Sequence, residues 1–397
     1  MGHQPETPFV PLCRPHVTGA ELRHLQAAIA DGHLCGNGRF TRQCHRWLQD
    51  TIGGHALLTP SGTGALEMCA MVAGLDAGDE VIMPSYTFPS AANAVALRGA
   101  VPVFVDIRAD TLNIDETRIE AAITDRTRAI MPVHYAGVGC AMDAIMDIAA
   151  AHGLIVIEDA AHGLGAAYKG RPLGGIGHMA AFSFHATKNI SAGEGGAFIA
   201  RDRADAERAE IVWEKGTNRS AFMRGEVHKY AWQDLGGSYL PSELTAAVLA
   251  AQLDQADRIN DARRRLWQRY QDAFAPLEAH GLLRRPIVPE TCAHNAHIYY
   301  VLLPTPRTRA DVIDGLKARG IAAAFHYVPL HDAPAGRRYG RPCGRLDVTG
   351  DAAGRLLRLP LFPDLSLDDQ DRVIAAMDAL LSPIDKIGTK RAAGMPA

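Results

Sequence analysis

Lys188 is the residue whose type and position most clearly suggest chemistry. It follows an apolar segment that ends at Phe184, it neighbours Thr187, and a glycine-rich run covers residues 193–196. A lysine in such a place suits an amine that forms a Schiff base with a carbonyl cofactor. Only seven of the 41 lysines and arginines of the chain are lysines, so its presence here is informative. A solvated loop lysine is the alternative interpretation.

An acid stands at the end of another apolar segment, 154–157, where Asp159 follows Glu158. Carboxyl ends of parallel strands border the ligand crevice of an α/β sheet. A carboxylate there could pair with a protonated pyridine nitrogen and so keep the ring an electron sink. Strand alternation directs Glu158 away from Asp159, which favours Asp159 for this role. Capping of the next helix is the alternative role for Asp159.

A phosphate-binding turn is predicted where Gly62 and Thr63 lead into a helical pattern. Free backbone N–H groups at a helix start, close approach at a glycine and a hydroxyl together suit a phosphate. Ser183 offers a second hydroxyl contact, and Phe88 offers an aromatic face for a flat ring. The alternatives are ordinary helix capping for the turn and core packing for Phe88.

The elements that would position these residues alternate along the first 200 residues. Strands are predicted at 81–83, 101–105, 129–133, 154–157, 180–184 and 196–200, and helices at 63–75, 90–97, 115–123 and 141–151. This alternation indicates an α/β fold with a largely parallel sheet covered on both faces. Helices at 242–255 and 255–273 follow, and then a strand (297–303), a helix (309–318), a strand (321–327) and a helix (367–381). We therefore predict a large domain at 1–255, a small C-terminal domain at 256–381 and a flexible tail at 382–397.

Composition excludes several classes of protein. The net charge of −3 comes from interspersed charges, without the basic stripe that a nucleic-acid partner needs. No run approaches the roughly 20 apolar residues of a membrane span. Seven scattered cysteines without a Cys-x-x-Cys motif favour reduced thiols in the cytoplasm, and neither they nor the histidines suggest a metal site.

Four motifs together resemble those of the nucleotide-sugar aminotransferases, which are pyridoxal phosphate (PLP) enzymes of fold type I. They are Gly62-Thr63, the segment 84–88, Glu158-Asp159-Ala160-Ala161-His162 and Ser183-Phe184-His185-x-x-Lys188. The resemblance extends over residues 8–381. Within the family, the stretches 34–36, 113–117, 134–137, 214–220, 325–331 and 356–362 are most similar to the transaminases that make dTDP-4-amino-4,6-dideoxygalactose.

The resemblance implies fold type I, with a mainly parallel central sheet in a large domain and a smaller C-terminal α/β domain. It implies pyridoxal 5′-phosphate as cofactor, with pyridoxamine phosphate as an intermediate form. The substrates would be L-glutamate and the dTDP-linked keto sugar dTDP-4-keto-6-deoxy-D-glucose, which is aminated at C4. The products would be 2-oxoglutarate and an amino sugar for cell-surface polysaccharide. A homodimer with the site at the subunit interface is also implied.

Carried over residue by residue, the resemblance makes Lys188 and Asp159 catalytic. The residues expected to bind the cofactor are Gly62, Thr63, Phe88, Asp159, His162, Ser183, Lys188 and Ser238. Two of them depart from the family pattern: His162 stands where Gln is common and adds a group that titrates near neutrality, and Ser238 stands where Asn commonly reaches the phosphate of the partner subunit. The candidates for substrate binding are Lys215, Asn218, Arg219, His326 and Tyr327, for which loop structure or interdomain packing is the alternative role.

Other functions remain open at this point. Sugar dehydratases of the family replace the lysine with histidine, so Lys188 argues against them. Relatives that aminate C3, make the gluco epimer or use GDP- or UDP-sugars are not excluded. An NAD-dependent oxidoreductase would need a Gly-x-Gly-x-x-Gly turn after a strand, and Gly174-Gly175-Ile176-Gly177 follows no convincing strand. A PLP-binding relative without catalytic activity is a third possibility.

Overall fold

The computed structural model describes residues 8–382. Its strands are β1 (His55–Thr59), β2 (Glu80–Pro84), β3 (Val101–Val105), β4 (Thr127–Ile130), β5 (Ile155–Asp159), β6 (Ala167–Tyr168), β7 (Arg171–Pro172), β8 (Met179–Ser183), β9 (Gly196–Ala200), β10 (Cys292–Ala293), β11 (Tyr299–Leu302), β12 (Arg341–Pro342) and β13 (Leu356–Leu359). Its α-helices are α1 (Glu21–Ala30), α2 (Arg39–Ile52), α3 (Gly62–Val72), α4 (Pro89–Ala96), α5 (Met142–His152), α6 (Arg203–Trp213), α7 (Arg219–Met223), α8 (Glu243–Leu253), α9 (Ala256–Ala273), α10 (Ala275–Ala279), α11 (Pro306–Lys317), α12 (Pro334–Tyr339), α13 (Asp347–Arg355) and α14 (Leu367–Leu381).

The central sheet has eight strands in the order β1-β9-β8-β5-β4-β2-β3-β12. From β8 to β12 every neighbouring pair is parallel, whereas β9 runs antiparallel to both β8 and β1. The prediction of a largely parallel sheet is confirmed. Because the parallel strands end at the same edge, the residues after β2, β5 and β8 come near one another.

Helices cover both faces of this sheet. On one face α3 and α6 bury Leu66, Met68 and Trp213 against β9. On the other face α2 and α8 bury Phe40 and Leu249. Serine N-caps start α3 and α8, since the side chains of Ser61 and Ser242 accept from the backbone N–H groups three residues on. The sheet is therefore buried on both faces, as its continuous apolar strands require.

A second core lies towards the C-terminus. It is formed by α9, α11 and α14 with the two antiparallel strands β11 and β13, and Val10 packs into it. The short strand β12, although late in the sequence, pairs with β3 of the central sheet. The division into domains at residue 255 stays a prediction, and residues 383–397 of the predicted tail lie outside the described residues.

Two predicted elements are wrong. Residues 115–123 form two short 3-10 turns instead of a helix, because the N–H groups of Arg118, Ile119 and Ala122 donate three residues back instead of four. The Asp115 carboxylate caps the first turn by accepting from the N–H of Thr117. Residues 321–327 form isolated bridges from Ile321 to Val10 and from Ala324 to Arg358 instead of a strand. Strand β1 and helices α1, α2 and α6 were not predicted from the sequence.

No helix among the described residues is both long and apolar enough to cross a membrane. Within residues 8–382, no cluster of three or more His, Cys, Asp or Glu side chains has a metal-binding arrangement.

Candidate active site

Lys188 lies in the loop that joins the antiparallel strands β8 and β9. The loop is closed on itself, since the N–H of Ala186 donates to the carbonyl of Gly193 (2.8 Å). Gly193 has a φ of +81°, a conformation that favours glycine. The neighbouring Asn189 donates from its amide to the carbonyl of Asn295 (2.8 Å). These contacts fix the half-buried lysine at the carboxyl edge of the sheet.

Lys188 and Asp159 influence each other's charge at this edge. Burial lowers the pKa of Lys188 to about 8; the Asp159 carboxylate opposes this shift and the charge of Arg358 adds to it. Burial raises the pKa of Asp159, and the N–H of Ala161 (3.1 Å) and the Lys188 charge offset only part of the rise. The bond to Ala161 shows that Asp159 also braces the turn after β5. Residues 161–165 form a turn and not a helix, so the alternative role of helix capping is wrong.

Glu158 occupies the preceding position on β5 and has a different environment. Its fully buried carboxylate accepts from His134 Nε2 (2.8 Å) and from the N–H groups of Gly174 (2.8 Å), Ile176 (2.7 Å) and Gly177 (2.5 Å). Burial alone would raise the pKa of Glu158, but these hydrogen bonds hold it below its ordinary value. The Glu158 carboxylate therefore has a structural role.

The predicted phosphate turn lies at the start of α3. Ser61 Oγ accepts from the N–H of Gly64 (3.1 Å), while the N–H groups of Gly62 and Thr63 precede the intrahelical ladder. A Cβ at Gly62 would stand only 2.7 Å from the Cβ of Ser183, so the glycine permits this approach. Gly62, Thr63 and Ser183 therefore come together next to the Lys188 loop.

The start of α4 adjoins the same turn. Thr63 Oγ1 lies 2.7 Å from the hydroxyl of Ser90, which was not predicted. Phe88 precedes Pro89, the first residue of α4, and is 58% exposed. Its ring centroid is 6.4 Å from that of Tyr327. The exposure excludes plain core packing for Phe88, and its stacking on a cofactor stays a prediction.

His162 is buried and held by three neighbours. Its Nδ1 accepts from the N–H of Ala136 (3.3 Å), its Nε2 lies 3.3 Å from the Tyr327 hydroxyl, and its ring stacks on His297 with centroids 4.1 Å apart. Because Nδ1 accepts, the neutral ring carries its proton on Nε2. Burial and the Lys188 charge hold the pKa of His162 well below its ordinary value. The expectation that it titrates near neutrality is wrong.

His326 and Tyr327 reach this group from the C-terminal part of the chain. His326 Nδ1 lies 2.7 Å from the hydroxyl of Tyr135, and its ring centroid is 6.0 Å from that of His162. Burial and the Arg358 charge hold the pKa of His326 well below its ordinary value. Two of the predicted substrate contacts thus adjoin the Lys188 site.

The other predicted substrate contacts lie in a separate loop. Arg219 forms an ion pair with the buried Glu214 (2.8 Å), and Asn218 Oδ1 accepts from the N–H of Ala231 (2.9 Å). Lys215 has a φ of +64° and donates its N–H to a loop carbonyl. Arg219 and Asn218 therefore support the loop itself, and no hydrogen bond within residues 8–382 connects these side chains to Lys188.

Ser238 is exposed at the end of the same loop and forms a backbone bridge with Glu214. The next residue, Tyr239, packs beside Gly64 and donates its hydroxyl to Glu67 (3.1 Å) on α3. This places Ser238 near the first turn of α3. Its contact with the phosphate of a partner subunit stays a prediction.

Sequence reasoning gave no role to several neighbours of the site. Tyr86, Tyr135 and Arg358 lie in segments 84–88, 134–137 and 356–362, which carry the resemblance but gave these residues no role, and His297 follows no catalytic spacing. They meet at the site because β2, β4, β11 and β13 bring them there. No local pattern could have identified them.

A family model for the DegT/DnrJ/EryC1/StrS aminotransferases matches residues 16–378 of the chain. The chain belongs to this family. It is 34% identical, over 386 residues, to the spore coat polysaccharide biosynthesis protein SpsC of Bacillus subtilis, covering 95% of this chain and 98% of the relative. Family membership makes the protein a sugar aminotransferase.

Solved structures of the family have the same fold. DesV of S. venezuelae, solved in complex with a ketimine intermediate, is 32% identical with a TM-score of 0.85, covering 96% of this chain and 100% of DesV. The sugar aminotransferase Spr1654 of Streptococcus pneumoniae, solved in a PLP form, is 26% identical with a TM-score of 0.85, covering 94% of this chain and all of Spr1654. The prediction of fold type I with a mainly parallel central sheet is confirmed.

Proposed function

We propose that this protein is a PLP-dependent aminotransferase that moves the amino group of L-glutamate to C4 of dTDP-4-keto-6-deoxy-D-glucose. The products are dTDP-4-amino-4,6-dideoxy-D-galactose and 2-oxoglutarate. One observation carries the proposal: Lys188, in the loop after β8, and Asp159, at the end of the neighbouring strand β5, lie at the same carboxyl edge of the sheet, and burial lowers the lysine pKa to about 8.

The residues present fit pyridoxal phosphate. The helix start at Gly62 and Thr63, with Ser183 against it, offers backbone and hydroxyl donors to a phosphate. Lys188 offers the amine, and Asp159 offers a carboxylate to a ring nitrogen. The PLP and PMP forms of Spr1654 support the same cofactor.

When bound, pyridoxal phosphate supplies an aldehyde that takes up an amino group and a ring that accepts electron density. Asp159 would hold the ring nitrogen of the cofactor protonated. Lys188 Nζ takes the proton from the α-carbon of the donor, and in the second half-reaction it returns a proton to C4 of the sugar. His162 Nε2–H donates to the oxygen of the Tyr327 hydroxyl (3.3 Å), so this hydroxyl keeps its own proton for a bond to a ligand.

The lowered lysine pKa supports this role. An unperturbed lysine, with a pKa of roughly 10.4, is almost entirely protonated at neutral pH. With a pKa of about 8, roughly a tenth of the Lys188 side chains are free amines at pH 7. Only the free amine can attack an aldehyde or accept a proton.

The choice of a dTDP-linked C4 ketone rests on the motif resemblance, above all on residues 325–331 and 356–362. The SpsC name supports a product for extracellular polysaccharide. Relatives that act on C3, on GDP- or UDP-sugars, or that form the gluco epimer remain the alternative.

The proposal is tested by incubating the purified protein with L-glutamate and a panel of keto-sugar nucleotides. We expect a yellow protein that bleaches with L-glutamate and then converts dTDP-4-keto-6-deoxyglucose to the galacto amino sugar, identified by NMR. Formation of the gluco epimer alone would reject the substrate assignment and leave the transaminase. A colourless protein that does not bind pyridoxal phosphate would reject both.

A cytoplasmic homodimer is part of the proposal. The loop that follows Asn218 exposes Trp232 (76%), Met223 (67%) and Leu235 (55%). Exposed apolar side chains in one loop are typical of a protein interface, which supports a second copy covering them. Sedimentation equilibrium tests this: a monomer at micromolar concentration would reject the dimer.

A further inference from the structure

Residues 295–297, which precede β11, contact both the Lys188 loop and the turn that follows β5. The segment is buried. It is held in place from α9, where the Arg263 guanidinium donates to the carbonyls of Ala296 (3.0 Å) and His297 (2.5 Å). The proposed reaction gives the side chains of this segment no role, although they contact two parts of the site.

The backbone of the segment is strained at Ala296. Its φ is +52°, a left-handed conformation that non-glycine residues rarely adopt. The ring of His294 supports this turn, since its Nδ1 accepts from the N–H of Ala296 (3.2 Å). Ala136, whose N–H donates to His162, is also left-handed, with a φ of +58°. Strained backbone persists where the surrounding contacts fix it, and such positions cluster at functional sites.

On the lysine side, the segment contacts Asn189, which directly follows the lysine. The Asn189 amide donates to the carbonyl of Asn295 (2.8 Å) and to Oδ1 of Asn260 (2.8 Å). Its own Oδ1 therefore faces His297, whose Nδ1 is 2.9 Å away. Because Asn189 Oδ1 can only accept, His297 carries a proton on Nδ1. Both amide protons and the carbonyl oxygen of Asn189 are thus bonded, which fixes its orientation.

On the other side, the segment contacts the turn that follows Asp159. Asn295 donates its amide to the carbonyls of His162 (2.7 Å) and Leu164 (2.9 Å). The His297 ring stacks on the His162 ring, with centroids 4.1 Å apart and planes inclined by 25°. The segment therefore links the loop that holds the lysine to the turn that follows the acid.

We propose that His297 is a positioning residue that holds Lys188 in place for the reaction through its hydrogen bond to Asn189. This inference rests on the proposed function. Asn189 is the next residue after Lys188, so a change in the orientation of Asn189 displaces the lysine backbone. Proton transfer by Lys188 Nζ needs a narrow range of distance, and a displacement of about 1 Å can lower a rate about 100-fold.

A substrate-binding role fits His297 less well. Burial, and after it the neighbouring His162, hold the pKa of His297 well below its ordinary value. The neutral ring has one N–H donor, and Asn189 accepts it. His297 therefore has no N–H left for a ligand.

Two substitutions separate the hydrogen bond of His297 from its ring. His297→Phe keeps an aromatic face against His162 but loses the donor, whereas His297→Asn places an amide N–H close to the position of Nδ1. We expect His297→Phe to lower kcat of the holoenzyme about 10- to 100-fold and to change KM for L-glutamate less than about 3-fold. His297→Asn should keep kcat within about 3-fold of the wild type.

The matched control is His178, a histidine at the amino edge of the same sheet. It precedes β8, and its Nδ1 accepts from the N–H of Val156 (3.0 Å) at the start of β5. His178→Phe removes a histidine bond between the same two parts of the sheet, far from its carboxyl edge. It should lower the stability of the fold without lowering kcat.

A double-mutant cycle tests whether His297 acts through Asn189. Asn189→Ala should lower kcat at least as much as His297→Phe. The double variant should lose no more than about 3-fold beyond Asn189→Ala, because both substitutions break the same link. Losses that multiply would overturn the inference. Asn189→Ala also carries the test if His297→Phe does not fold, since an unchanged kcat in Asn189→Ala overturns the inference too.

Amide hydrogen exchange in the apoprotein follows the lysine loop without turnover. The N–H groups of Ala186, Lys188 and Ala192 are hydrogen-bonded within this loop, so their exchange measures its local opening. We expect exchange in the peptide 185–193 to be about 2- to 10-fold faster in His297→Phe, the scale of one lost neutral hydrogen bond. His297→Asn and His178→Phe should leave it unchanged.

The outcomes are distinguishable. An unchanged kcat or an unchanged exchange rate in His297→Phe overturns this inference alone, and so does a rise of KM in place of the fall of kcat. A fall of kcat of the same size in His178→Phe overturns it as well. A wild-type protein that transfers no amino group overturns the proposed function, and the exchange comparison then still decides whether His297 holds the lysine loop.

Discussion

Two neighbouring carboxylates on β5 have opposite environments. Glu158 accepts four hydrogen bonds, from His134 and three backbone N–H groups, and its pKa is held below the ordinary value. Asp159 accepts one described hydrogen bond, from Ala161, and burial raises its pKa. A satisfied buried acid stabilises the fold, whereas an incompletely satisfied one retains the capacity to bind a ligand.

The same contrast extends to the residues around each acid. Around Glu158, backbone N–H groups of the loop 174–177 donate hydrogen bonds to the carboxylate and so hold this loop against the sheet. Around Asp159, Lys188 has a lowered pKa and the Nε of Arg358 is buried without a hydrogen-bond partner among the described residues. The two sides of β5 at this edge therefore differ in how completely their acids are hydrogen-bonded.

Of the substitutions at this sheet edge, that of Lys188 should have the largest effect on activity. We expect Lys188→Ala to abolish complete transamination cycles, since within residues 8–382 Lys188 is the lysine whose charge acts on Asp159. Steady-state assays with L-glutamate and the keto sugar check this, and borohydride reduction with peptide mapping should label Lys188 in the wild type. Sustained turnover in the variant, or a label on another lysine, would refute the assignment.

Substitution of the two acids on β5 should affect different properties: that of Asp159 the reaction rate, and that of Glu158 the stability of the fold. Asp159→Asn should lower the rate by about 10²- to 10⁴-fold, the range of a lost charge at a reacting centre, with little change in the unfolding free energy. Glu158→Gln should instead destabilise the fold by about 3–5 kcal/mol, as when a buried pair loses a partner. Urea unfolding and kcat measured on both variants decide the matter, and the reverse pattern would contradict the comparison.

The Glu158 effect should also depend on pH. A carboxylate whose folded pKa is lowered stabilises the fold above its unfolded value of 4.5. The stability difference between wild type and Glu158→Gln should therefore be full above about pH 5 and shrink as pH falls through the lower folded pKa. Unfolding curves between pH 7 and pH 3 measure it; a difference independent of pH would exclude ionic stabilisation.

Recombination of the apoprotein with pyridoxal phosphate should report the Lys188 pKa. Because only the free amine reacts, the rate should rise with pH and level off above about pH 8. Stopped-flow absorbance measures the rate. A rise that continues towards pH 10.5 would show that Lys188 has an ordinary pKa.

His162→Gln should have the smallest effect. The histidine is neutral at pH 7 and donates from Nε2, which the glutamine amide can replace. We expect kcat/KM to change less than about 3-fold, the scale of one neutral hydrogen bond, and the pH profile between 6 and 8 to stay unchanged. A loss of titration near pH 6.5 in the variant would show that the ring does ionise.

Much of the large sheet could be predicted from the sequence. The strands 101–105 and 196–200 coincide with β3 and β9, and β2, β5 and β8 agree within one or two residues, because buried parallel strands are continuous apolar runs. The stretch 321–327 looks equally apolar, yet it pairs at isolated points with Val10 and Arg358. Its conformation depends on partners far away in sequence.

The sequence by itself determined the order of the helix start at Gly62, the acid after β5 and the lysine after β8, because local patterns of turns and apolar segments encode them. Only the tertiary structure decided which polar groups are satisfied. Burial and hydrogen bonding depend on neighbours such as His134, Tyr300 and Ala324, which the chain brings together from different elements. That distribution separates Glu158 from Asp159.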